Sequence, residues 1–277
     1  MASSDRPIII GAAAAVLVVA AGLYYYFYVY REGASVAPAQ RPAVNLPPPA
    51  PSNAPPPVEH PVPQSPGAST APLPALNDSD QPLHDALVMV PGAAAVEKML
   101  EPQNLIRHIV ASVDNLPRKK VAVDLRPIHA TPGQFQVDSA GDHVTIAPQN
   151  AQRYAPFVDL VRQVDERQLA DLYIHYYPLF QQAYEDLGYP SEYFNDRVIE
   201  VIDNLLATPD VKGPIELVQP NVMYQYADPK LEALSAGQKT LLRMGPANEA
   251  LIKDKLRSLR ALLATHAHGA GHSQASP

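Results

Sequence analysis

Proline limits this chain more than any other residue. It crowds between Gly33 and Ala75, in runs such as Pro47-Pro48-Pro49 and Pro55-Pro56-Pro57, and is scattered afterwards. Its ring fixes φ and offers no N–H to a helix or sheet. The tract also lacks apolar periodicity, so it cannot build a core, and residues 31–75 are expected to form a disordered tether rich in polyproline II. About 43 positions at roughly 3.1 Å each would extend to roughly 130 Å. The ordered part of the 277 residues is therefore expected as one domain at 76–265, followed by a frayed tail at 266–277.

Ahead of the tether, after a short tail at 1–6, no charge interrupts Pro7 to Tyr30, and Ile8 to Ile10 and Val16 to Val19 sit among alanines. A helix of that length rises roughly 36 Å, enough for one transmembrane crossing at 7–30. Tyr24, Tyr25, Tyr26, Phe27, Tyr28 and Tyr30 crowd one end, where amphipathic rings suit the headgroup layer. A cleaved leader ending near Ala37 or Ala39 is the alternative, but its apolar core would be overlong and its basic lead weak. The expected topology is a single-pass anchor with the amino terminus inside and the domain on the far side of the bilayer, in the periplasm or another extracytoplasmic space.

Charge and cysteine content remove several functions. Arg6, Arg31 and Arg41 balance Asp5, Glu32 and Glu59, so the net charge of −7 falls on the residues beyond 75. Nucleic acid needs a basic face, and none of any extent is offered. The absence of cysteine excludes disulfides, thiolate metal sites and cysteine nucleophiles.

The domain reads as mainly α with a small antiparallel β element, an α+β class. Leu105, Ile106, Ile109, Val110, Val113 and Leu116 recur at helical spacing, with Pro102 as a first helical position. Asp80 is placed to cap a short helix to Leu87, and Ser191 to cap one ending at Ala207. Asp165 with Gln168 and Ser235 with Gln238 resemble capping boxes. Helices are predicted over 150–164, over 165–187 with a kink at Pro178, and from Pro246 to about Thr265. Alternation at Val121 to Leu125, Phe135 to Val137 and Val144 to Ile146 predicts a small sheet or hairpin, with a further strand pair at Ile215 to Val218 and Val222 to Tyr226.

Candidate chemistry is weighed against ordinary packing. Tyr173, Tyr176, Tyr177, Tyr184, Tyr189 and Tyr193 could form a platform for sugars or peptides, but their helical stripes fit a wide buried face. Glu192, Asp196, Glu200 and Asp203 form one stripe, which reads as a solvated face, a surface for a basic partner or, with Glu185 and Asp186, the carboxylates of a glycoside-cleaving site. His266, His268 and His272 could take up a metal only weakly in a flexible tail, and His175 reads as a structural histidine. No cofactor or catalytic motif is present.

Several strings resemble a bacterial family known as domain of unknown function 3014. They are Ile109 to Pro117, Arg153-Tyr154, Tyr177-Pro178-Leu179 with Ala183-Tyr184, Leu187 to Pro190, Leu205 to Pro209, and Gln238-Lys239 with Arg243 to Pro246. The resemblance spans most of 76–263, excludes the tether and implies an anchored envelope protein with no activity to carry over. Polar residues in or beside these strings, Asn150, Arg153, Tyr154, Lys239 and Arg243, are candidates to converge on an anionic group or a partner. The expected function is a non-enzymatic envelope module that recruits or braces a protein partner. The alternative is an anchored enzyme acting on an envelope polymer.

Overall fold

The computed structural model describes residues 57–89, 100–119, 127 and 133–264. It is mainly helical with one small antiparallel sheet. Among the described residues no helix is long and apolar enough to cross a membrane. The apolar stretch at 7–30, the Val121 to Leu125 strand and the tail histidines lie outside the described residues.

A 3-10 turn at Leu76–Asp78 leads into α1 (Asp80–Val88). Asp80 does not cap its own helix. Its carboxylate takes the N–H groups of Asn104 and Leu105 at 2.7 and 2.8 Å, satisfying the open end of α2 (Leu105–Asn115). The apolar stripe of α2 is buried as its spacing predicts, and the helix packs against two others, α5 (Glu166–Asp186) and α6 (Phe194–Leu206).

The predicted strand pairs are joined. β1 (Val137–Ala140), β2 (His143–Ile146), β3 (Glu216–Val218) and β4 (Gln225–Tyr226) form one sheet in that order, antiparallel throughout. Gly141 makes the β1–β2 turn at φ 62°, a left-handed conformation that favours glycine. Val144, Leu217 and Tyr226 lie side by side across three strands, with Leu217 and Tyr226 buried.

The helix predicted over 150–164 is divided at Tyr154 into α3 (Asn150–Arg153) and α4 (Ala155–Gln163), because Pro156 suits a first turn and not a helix interior. The longer α5 continues through Pro178. Its cap Asp165 accepts from Arg167 and Gln168 N–H, whereas α6 opens at Phe194, whose N–H donates to Gln181 of α5 at 2.8 Å, and not at Ser191.

After α7 (Pro229–Glu232), the capping box of Ser235 and Gln238 opens α8 (Ala236–Met244) as predicted. Gly237 is needed there: a Cβ would come within 2.6 Å of Leu205 Cδ2 and 3.3 Å of the Leu116 oxygen. The last helix, α9 (Pro246–Leu263), buries Ile252, Leu256, Leu259 and Leu263 against α4, α5, α6 and α8. Its buried Lys253 donates to the Thr208 carbonyl, Asp210 and Glu249 at 2.6 to 2.7 Å, fastening α9 to the chain that leaves α6.

Residues 57–75, assigned to the tether by composition, lie along the domain as a strap. Composition could not show this, because the domain holds the strap mostly through backbone groups that every sequence has.

Candidate interaction site

The strap crosses the face of α5 and α6. That face is rigid because the rings beneath it interlock: Tyr173 meets Phe180 at 5.6 Å, Phe180 stacks on Phe194 at 5.9 Å, and Tyr184 stacks on Tyr189 at 4.5 Å. Burial pushes the Tyr173 phenol well above its ordinary range, and its hydroxyl donates to Asn195 at 3.1 Å. Most of the tyrosine-rich stretch is therefore core, with Tyr184 and Tyr193 bordering a groove.

Asn195 and Asp196 read the strap at the start of α6. The Asp196 carboxylate takes the N–H of His60 at 2.6 Å and that of Glu59 at 3.2 Å. The fully buried Asn195 amide donates to the His60 carbonyl at 2.8 Å and to the Leu263 carbonyl at 3.3 Å, joining the strap to the end of α9. Farther along, the Ser65 hydroxyl donates to Asp171 of α5, and a Cβ at Gly67 would collide with that same carboxylate. The Nδ1–H of His175 donates to the Ser69 carbonyl at 2.7 Å. No residue of 57–75 is buried, although most are half covered.

Two grooves flank these anchors. One, of about 510 Å³, lies between strap residues 69–74, α1 and α5, and carries Met89, 76% exposed, on its rim. The other, of about 300 Å³, runs beneath Pro57 and Glu59 and is bounded by Tyr193, Glu192, Asp196 and Glu200. Most carboxylates of the predicted acidic stripe take donors from the fold. Glu200 pairs with Arg197 at 2.6 Å, Glu192 accepts from the Tyr184 hydroxyl at 3.2 Å, and Asp203 receives Arg260 at 2.5 and 2.9 Å. Burial, then the Glu192 charge, raise the Tyr184 phenol. Behind them the buried Asp114 holds Arg118 at 2.6 Å and Arg197 at 3.0 Å, tying α2 to α6.

The residues nominated from the family-like strings fall into two neighbouring groups on α3 and α8, which pack together. Asn150 is buried and accepts from Gln136 N–H while donating to the Gln136 and Ala147 carbonyls, so it pins α3 to the start of β1. Arg153 reaches Asn150 at 3.3 Å and the Gly133 carbonyl at 2.9 Å. Tyr154, 1% exposed, is the junction of α3 and α4. Lys239 and Arg243 meet over the ring of Tyr226, 5.9 and 5.3 Å from its centroid, and Lys239 also pairs with Glu232. Tyr226 donates to the Lys239 carbonyl at 2.9 Å, and burial pushes its phenol up to about 12 against the opposing pull of Arg243.

Sequence reasoning missed Asn195, Asp171 and the strap itself. The one available signal was the Asn195-Asp196 pair at a helix start, where such side chains commonly bind backbone N–H groups.

A comparison with family patterns matches residues 105–260, more than half of the chain, to the family described as protein of unknown function (DUF3014). The chain belongs to the DUF3014 family. The DUF3014 segment opens at the first residue of α2 and closes in the last turn of α9. It therefore takes in Asp171, His175, Asn195 and Asp196 but leaves out α1 and the strap they hold. No curated protein and no solved structure matches the chain.

Proposed function

We propose that this DUF3014 protein is a membrane-anchored, non-enzymatic interaction module of the bacterial cell envelope. Residues 7–30 fix it in the lipid bilayer, the proline tract gives it reach, and the helical domain contacts a protein partner beyond the membrane. The uncharged Pro7 to Tyr30 stretch supports the anchor. The strap carries the interaction reading: Asp196, Asn195 and His175 hold a chain without helix or strand by its main-chain groups, and Ser65 adds a side-chain contact to Asp171. Binding of this kind fits recognition of a flexible segment better than bond cleavage.

In washed membranes, carbonate should leave the full chain in the pellet, and deletion of residues 7–30 should release it. A photocrosslinker replacing Tyr193 should give a discrete adduct in cells that Asp196→Ala diminishes. Release of the intact chain by carbonate, or crosslinks indifferent to Asp196, would overturn the proposal.

A further inference from the structure

We infer that the α5–α6 face is a binding site for proline-spaced peptides that lie without helix or strand and turn once, as Ser65 to Ala68 do through the Ala68 N–H to Ser65 carbonyl bond at 3.1 Å, and that the strap is its resident occupant in cis. This rests on the interaction reading of that face and is independent of the membrane anchor.

The strap is seated as a ligand would be. Asp171, His175, Asn195 and Asp196, spread along two helices, take its main-chain groups and one hydroxyl, and its own residues are at most partly covered, Leu73 packing from the rim of the core. An element that belongs to the core buries apolar side chains fully in it, as Leu76 does immediately after the strap, whereas Leu73 of the strap is only partly covered. Segments that contribute little buried apolar surface open locally, far more readily than the domain unfolds. Pro57, Pro61, Pro63, Pro66, Pro72 and Pro74 limit the conformations lost on docking, which is how a short chain binds without a helix or strand of its own.

The side chains define the ligand. Asp196 requires two successive N–H groups, so neither residue 59 nor residue 60 could be proline. Asn195 takes the second residue's carbonyl. Asp171 selects a hydroxyl five positions on and, two positions later, a residue without Cβ, the pattern met by Ser65-Pro66-Gly67. His175 reads a carbonyl two positions farther. A partner segment with the Ser-Pro-Gly pattern could occupy this face once the strap leaves it. Departure would also lengthen the tether by the strap's own span.

The test uses the full chain in detergent. A labelled synthetic peptide of residues 57–75 is titrated against the natural chain, Gly67→Ala, and Gly67→Ala combined with Asp196→Ala. The collision at Asp171 should loosen the strap in Gly67→Ala, so that variant should bind the peptide at least tenfold more tightly than the natural chain, where the strap competes. Adding Asp196→Ala should abolish that gain, and a scrambled peptide should not bind. In the natural chain, the Glu59 and His60 amides should exchange hydrogen at least 100-fold faster than amides within α6. Absence of saturable binding to Gly67→Ala, equal binding of the scrambled peptide, exchange of strap amides only with global unfolding, or collapse of the whole domain in Gly67→Ala would each overturn the inference. Peptide binding by a chain that carbonate strips from membranes would instead leave this inference standing and refute the anchor.

Discussion

Tyr226 shows how a single side chain can organise charges that look functional in sequence. Lys239 and Arg243 stand four residues apart on α8, and their helical spacing was legible. What they face was not, because Tyr226 and Glu232 come from β4 and α7. Likewise, nothing local to Asn150 reveals that its amide closes on Gln136, fourteen residues earlier. The phenol of Tyr226 makes a titration prediction. Its proton is held to about pH 12 in the fold, whereas an unfolded tyrosine loses it near pH 10. Above pH 10 the unfolded chain therefore binds fewer protons, and stability falls as pH rises. The contribution is whole below pH 10, has dropped by about 2 kcal/mol at pH 12 and is lost as pH rises past that point. Urea unfolding of Tyr226→Phe from pH 8 to 12 should show a shallower alkaline decline than the natural chain. An identical slope would count against this account.

At the level of elements, spacing located the helices well and misassigned some of their ends. The capping box at Ser235 is local, so its residues suffice to read it. The caps of α2 and α6 are supplied by Asp80 and Gln181 from other helices, and no window of sequence centred on either start contains the donor–acceptor pair. Both strand pairs were readable by alternation, yet their union was not, because β2 and β3 meet only after α3 to α6 have been threaded between them. The borrowed cap gives a measurable consequence. Asp80→Ala should lower stability by about 1–2 kcal/mol through frayed N–H groups at α2. Hydrogen exchange should quicken at Asn104 and Leu105 while α1 keeps its protection, and faster exchange confined to α1 would show that Asp80 serves its own helix instead.

For the molecule as a whole, proline density set the start of the ordered part at residue 76, but the described fold begins at least as early as Pro57. Strap residues 57–75 share the composition of residues 33–56, and composition does not reveal that they lie where α5 and α6 present matching groups. Asn195 is the centre of that arrangement, bonded at once to His60, Leu263 and Tyr173. Asn195→Ala should cost about 2–3 kcal/mol, since it leaves the buried Tyr173 hydroxyl and Leu263 carbonyl unsatisfied. Amides around His60 and in the last turn of α9 should lose protection together, and a change at only one of them would refute the shared clasp. The same carboxamide brings the arriving strand and the departing helix to one spot. A pull on the backbone at His60 would enter the body there and be shared at once with the last turn of α9, so force applied to the strap would load the close of the final helix before it reached the sheet.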